Sequence, residues 1–217
     1  MRARENANAR SLILGRIRDI LGERPEGADD AYQRISRDYR QSATLDAEHR
    51  VDLFVDRLQH YQVTVYRCER ATLTRTIAGA LAARQKRRVV VPADVPRDWL
   101  AGETEFAADT GLRYDDLDRS EGILTGCSLA IAITGTIVLR HATAEGRRAL
   151  TLIPDYHLCV VFSEQIVQTV PEAIRLLAGA GPELVTTISG PSATADIEMT
   201  RIRGVHGPRT LDVILVG

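Results

Sequence analysis

The sequence predicts an α/β fold in which a mainly parallel sheet is flanked by helices, with a strand-rich hairpin section and an N-terminal helical arm. Three observations carry that expectation. Helical periodicity alternates with short apolar runs across residues 45–91. Brief strand-like runs separated by turn residues crowd residues 121–169. An Arg-rich amphipathic stretch precedes both. At 217 residues the chain suits one substantial domain with appendages. It divides into an N-terminal helix and polar connector, 1–44, and an α/β domain, 45–217.

In residues 4–21, Ile13, Leu14, Ile17, Ile20 and Leu21 recur at three- and four-residue spacing while arginines take the other face, and Gly22 stops the helix. Such a helix packs on its own domain or docks on another subunit, so homo-oligomerisation through it is one expectation. Residues 23–44 are polar and read as a connector. Val51, Phe54, Val55 and Leu58 then stripe a helix running to about Tyr61. Residues 62–66 read as strand, 73–83 as helix and 88–91 as strand ended by Pro92, a spacing that suits parallel pairing through right-handed crossovers. Residues 95–101 suit a short helix whose Trp99 is expected in the core.

Residues 123–126 read as a strand end. Leu129, Ile131 and Ile133 face Ile137 and Leu139 across Thr134-Gly135-Thr136 in a predicted hairpin. Residues 148–153 and 157–162, separated by Pro154-Asp155-Tyr156, suggest a second hairpin, and 165–169 an edge strand. Pro171 opens a helix that continues over 173–180. Finally, 184–188, 193–203 and 211–216 read as strand, helix and strand, a βαβ unit punctuated by Gly190-Pro191 and Gly207-Pro208.

Composition removes several classes of function. With 28 basic and 29 acidic residues the formal net charge is −1, so no broad basic field is available for nucleic acid. Cys68, Cys127 and Cys159 lack Cys-x-x-Cys spacing, and their odd number suits a reducing compartment and buried, small-hydrophobe roles. Arginines interrupt the N-terminal segment, and no apolar run reaches membrane-spanning length. A cytoplasmic protein without a membrane partner is expected. The Gly-x-Gly-x-x-Gly fingerprint, the P-loop and the Gly-x-Ser-x-Gly elbow are missing. The five histidines show no paired ligand spacing, so neither cofactor nor metal is expected.

What remains is a set of glycine and hydroxyl turns: Thr125 and Gly126; Thr134, Gly135 and Thr136; Ser189, Gly190, Ser192 and Thr194. Each alone serves as an ordinary turn or cap. Together in one sheet they read as a pocket rim. If 193–203 is helical, Ser189, Ser192 and Thr194 stand at its N-terminus and at the carboxyl ends of strands, where backbone N–H groups receive an anion. His157, Glu198 and His206 are secondary candidates, and His157 serves equally well as a satisfied core or surface histidine. Asp196 and Glu198, two apart on a helix, diverge by about 200° and form no acid–base pair. His206 would lie on the order of 16 Å from Ser192. Ser192→Ala is therefore expected to weaken anion binding, and His206→Ala to leave it alone.

These residues also carry a resemblance. Ile-Ser-Gly-Pro-Ser-Ala-Thr-Ala-Asp-Ile-Glu from residue 188, followed by Gly-Val-His-Gly-Pro-Arg from residue 204, resembles the signature of the lactate utilization protein C family, whose members carry the LUD domain. The Thr-Gly-x-x-x-Ala-Ile-Ala-x-Thr-Gly-Thr run over 125–136 matches as well, and the likeness extends from Leu45 to the end. It implies a fold similar to sugar-phosphate isomerases and CoA transferases. It also implies a cytoplasmic component of bacterial L-lactate oxidation to pyruvate, an accessory subunit acting with iron–sulfur partner proteins. A small anionic ligand fits that reading. The alternative is an enzyme acting on a CoA thioester or phosphorylated sugar at the helix N-terminal pocket. Two departures stand out: Ile133 where the family commonly has an acidic residue, and Cys127-Ser128 where Ala-Asp is frequent.

Overall fold

A computed structural model describes residues 2–22, 27–179, 184–195, 201–203 and 207–217. The chain forms two units, residues 1–39 and 40–217. In the first, α1 (Arg2–Leu21) ends at Gly22, whose φ of 68° is the left-handed conformation that glycine adopts without penalty. The short α2 (Ala28–Gln33) follows, and the Arg37 guanidinium lies over the Tyr32 ring at 4.9 Å. Ile13, Ile17, Ile20 and Leu21 are exposed along α1.

The second unit is built on a six-stranded parallel sheet. Its strands are β1 (Thr64–Cys68), β2 (Arg88–Pro92), β3 (Glu105–Asp109), β4 (Gly122–Thr125), β7 (Tyr156–Phe162) and β12 (Thr210–Val216), in the order β1-β12-β7-β4-β2-β3. A second sheet holds β5 (Leu129–Ile131), β6 (Thr136–Leu139), β8 (Ile166–Val167) and β9 (Thr186–Ile188), ordered β8-β5-β6-β9. In it β6 runs antiparallel to both β5 and β9, while β8 runs parallel to β5. The predicted α/β class and the first hairpin are therefore present. The turn of that hairpin is a 3₁₀ turn, Ala132–Thr134, closed by Gly135, and Ile133 on it is exposed.

Alternation along β7 separates the two cores. Tyr156, Leu158 and Val160 face α4 (Leu73–Ala83), where Leu73, Ile77 and Leu81 are buried with Trp99. Trp99 is 6% exposed and meets Phe162 ring to ring at 6.3 Å, the core role expected of it. Cys159 and Val161 face the opposite way, onto Phe54, Val55 and Leu58 of α3 (Ala47–His60) and onto the second sheet. The helix α6 (Val170–Ala178) covers the far face of that sheet through Ala173 and Leu177. Residues 41–45, just before α3, are tied to this region. The Ala43 N–H donates to Glu172 at 2.8 Å, and those of Thr44 and Leu45 donate to Gln168 at 2.7 and 2.8 Å.

Three expectations are corrected. Residues 148–151 form a 3₁₀ turn, and β7 is a central strand paired in parallel with β12 and β4, so the second hairpin does not exist. Its continuous apolar run reflects burial on both faces, as central parallel strands require. The final βαβ unit also fails. β9 pairs with β6 in the second sheet, away from β12. Within the supposed helix, Ala193–Ala195 and Arg201–Arg203 are strands β10 and β11, paired antiparallel with Thr194 opposite Ile202. The β-branched Thr194 and Ile202 favour that extended backbone. The edge strand β3 and the short helix α5 (Tyr114–Asp118) were not anticipated; β3 is only half buried and shows weak periodicity.

Candidate functional site

The amino ends of β7 and β12 open onto a cleft of about 250 Å³. Its walls come from Arg148 and Thr151 of the 3₁₀ turn, His157 of β7, residues 187–193, and Gly207, Pro208 and Leu211. The hydroxyl turn was expected at the carboxyl ends of the strands and at a helix N-terminus. The helix is overturned, since Ser192 precedes a strand; Ser189 does follow the carboxyl end of β9, but the strands of the main sheet that meet the cleft, β7 and β12, do so at their second residues. The Ser192 N–H instead donates to the Pro208 carbonyl at 2.8 Å, which ties the two Gly-Pro turns together.

The turns are held by close packing on α3. Gly190 has φ 86°, and a β-carbon there would meet the Tyr61 side chain at 2.8 Å. Gly135 has φ 60°, and a β-carbon would lie 2.7 Å from that of Arg57. Both positions need glycine for backbone conformation and for space. A hydroxyl chain links the two turns: Thr134 Oγ1 to Thr136 Oγ1 at 2.7 Å, and Thr136 Oγ1 to Ser189 Oγ at 2.8 Å. Ser189, Gly190 and Ser192 line the cleft, and Thr134 and Thr136 stand behind Ser189. Thr194 is on β10; Glu198 and His206 lie outside the described residues.

His157 is 1% exposed and shares a 2.8 Å hydrogen bond with Thr125 through Nε2. That bond explains how a polar ring is tolerated in the interior, and the ring borders the cleft. Thr125 is itself fully buried, away from the rim, and the Gly126 N–H donates to the Ala144 carbonyl at 2.8 Å. Thr125 supports the site from behind through His157.

Arg148 and Thr151 were not foreseen. The Arg148 guanidinium donates to Thr151 Oγ1 at 2.8 Å, and the hydroxyl donates back to the Arg148 carbonyl at 3.1 Å. One cation, several hydroxyl groups and a histidine thus border a space suited to a compact anion. The signal lay in a cationic residue three positions before a hydroxyl, hidden because the run was read as strand.

Among the described residues no group of three or more His, Cys, Asp or Glu side chains is placed to hold a metal ion, and no helix is long and apolar enough to cross a membrane.

A six-stranded parallel sheet, faced by a smaller mixed sheet and bearing a polar cleft at the amino ends of its central strands, defines an α/β protein of two sheets. The chain belongs to the LUD domain family, whose model matches residues 51–216. It is 43% identical over 215 residues to lactate utilization protein C of Deinococcus radiodurans, covering 97% of each chain. It is 25% identical to lactate utilization protein C of Anoxybacillus flavithermus, over 94% of each. Among solved structures it resembles a DUF162 family protein from Deinococcus radiodurans, with a TM-score of 0.70 and 41% identity over 80% of this chain and 99% of that one.

Proposed function

We propose that this protein is a component of an L-lactate utilization system, acting as an accessory subunit beside iron–sulfur partner proteins in the oxidation of lactate to pyruvate. The observation that carries the reading is the end-to-end likeness to a lactate utilization protein C. The cysteines lack cluster-ligand spacing, so in this reading electron transfer belongs to the partners. The cleft supplies what this chain contributes: a place for a small carboxylate, with Arg148 as the cationic anchor and the Ser189–Ser192 turn offering hydroxyl and backbone donors. The exposed apolar residues of α1 provide a separate surface for self-association.

Deletion of the gene tests the reading. Growth on L-lactate is expected to stop, to return with the wild-type gene, and to return poorly with Arg148→Ala, while affinity capture from lactate-grown cells recovers iron–sulfur subunits. Unchanged growth with no such partner would overturn it. In a thermal-shift panel, pyruvate and L-lactate are expected to stabilise the wild type and not Arg148→Ala. A ligand at a hundred times its dissociation constant contributes about 2.7 kcal/mol. A response confined to CoA esters or sugar phosphates would assign the cleft to a different substrate.

A further inference from the structure

Open parallel sheets hold ligands outside the carboxyl ends of their strands, where successive connections leave in opposite directions. In the main sheet that point falls between β4 and β2: from β2 the chain moves outward to β3, and from β4 it returns to β7 by way of the second sheet. A crevice of about 500 Å³ opens beside it. Pro92 and Asp109, the paired last residues of β2 and β3, line this crevice with Asp94, His141 and Arg147. Among the described residues it shares no lining residue with the cleft at the amino ends. Its wall, residues 140–147, is fixed in advance. His141 and Ala144 hold left-handed backbone, φ 58° and 63°, a conformation that costs energy outside glycine and collects at functional sites. The surroundings impose it. Glu145, 2% exposed, accepts the N–H groups of Arg140 and Ala142 and the Ser128 hydroxyl. The Gly126 N–H, just after β4, donates to the Ala144 carbonyl, and His141 bridges the Gly146 carbonyl at 2.7 Å and the Thr186 hydroxyl at 3.0 Å.

We propose that this crevice is a second binding site, for a ligand that presents a vicinal diol to Asp94 and Arg147. Asp94 supplies the acceptor. Its Oδ1 takes the Ala144 N–H at 3.0 Å, which orients a carboxylate that can accept further bonds. Arg147 supplies the donor. Its Nε and Nη2 are held by Asp109 at 2.7 and 3.1 Å, and Nη2 also by the Leu112 carbonyl, while a guanidinium carries further N–H groups on Nη1. A hydroxyl both donates and accepts, so two adjacent hydroxyls satisfy a carboxylate and a guanidinium together, which neither a simple anion nor a simple cation does. Charge points the same way: Asp109 offsets Arg147, and the remaining Asp94 disfavours an anion. Two sources carry this group, a sugar and a nucleoside. The Tyr114 ring, 66% exposed, lies 5.9 Å from the Arg147 guanidinium in an adjoining cavity of about 400 Å³ that Arg147 also lines, and it offers a flat face on which a base stacks.

The test is calorimetric titration of the native full-length chain with methyl ribofuranoside and adenosine, each beside the deoxy counterpart that lacks one hydroxyl of the diol. At least one parent compound is expected to bind, and its deoxy counterpart to bind about tenfold more weakly or worse. Adenosine binding well above the riboside assigns the diol to a nucleoside; comparable binding assigns it to a sugar. Asp94→Asn, which keeps an oxygen for the Ala144 N–H, is expected to weaken binding to a similar degree, and Arg148→Ala, in the other cleft, to bind as the wild type does. Absence of binding by both parents would overturn the proposal. So would equal binding of the deoxy compounds, an unchanged affinity in Asp94→Asn, or loss of binding in Arg148→Ala. The comparison of parent with deoxy compound needs no variant and decides the matter if Asp94→Asn does not fold.

Discussion

Asp109 loses water on folding, and burial alone would push its carboxyl upward. Its side chain is 4% exposed, yet the Arg147 guanidinium at 2.7 Å and the N–H groups of Leu112 and Gly111 outweigh that cost and hold it below the ordinary carboxylate range. A folded value below the unfolded one means that the unfolded chain takes up the proton first as pH falls. The stabilisation is therefore complete above the unfolded value of about 4 and is lost as pH drops through the folded one. Urea unfolding of the wild type and Asp109→Asn is expected to differ at pH 7 and to converge towards pH 3; parallel curves would remove Asp109 as the cause. At this same scale the site was partly legible. Hydroxyls beside glycine marked Ser189, Gly190 and Ser192, which line the cleft. His157 was a bare candidate, because nothing local reveals that Thr125, 32 residues earlier, takes one ring nitrogen.

Among the elements, α6 shows the closest agreement between local signal and structure. Thr169 accepts the Glu172 N–H, and the Glu172 carboxylate accepts the Thr169 N–H at 2.8 Å, a reciprocal capping box with Pro171 in the first turn. Thr169→Ala is expected to cost about 1 kcal/mol in denaturant unfolding, and Thr169→Ser much less; equal losses would show that the methyl group matters instead of the hydroxyl. Helices α3 and α4 were legible for a similar reason, since each buries one stripe: Phe54, Val55 and Leu58, or Leu73, Ile77 and Leu81. The stretch 193–203 misled because alanine, threonine and charged residues fit a short helix, whereas the observed strands are stabilised by pairing with each other. β7 misled in the opposite way. Its apolar run was read correctly as strand, but a run without alternation has neighbours on both edges and cannot identify either.

For the whole molecule, one buried ion pair joins the central sheet to the helix that covers it. Asp212 of β12 is fully buried, receives Nε and Nη2 of Arg84 at 2.7 Å each, and accepts the Tyr156 hydroxyl at 3.1 Å. Burial pushes the Tyr156 hydroxyl up, and the adjacent carboxylate adds to it, so the phenol stays protonated and remains a donor. Arg84→Met is expected to destabilise the fold by about 3 kcal/mol in urea, because it leaves a carboxylate in the interior without its cation. Arg84→Met with Asp212→Asn should recover part of that loss, and additive losses would show that the two side chains act separately. The sequence by itself determined the α/β class, most of the helices and strands, the glycine and hydroxyl turns, and the family likeness. Each rests on local backbone preference or on the period of burial, which a short window contains. Only the tertiary structure decided that β9 joins the second sheet, that β7 and β12 lie side by side, and that the Ser189–Ser192 turn meets Arg148 and His157 at the amino ends of those strands. Strand partners and cleft walls are contacts between residues tens of positions apart, set by which surfaces remain to be buried once the local elements have formed.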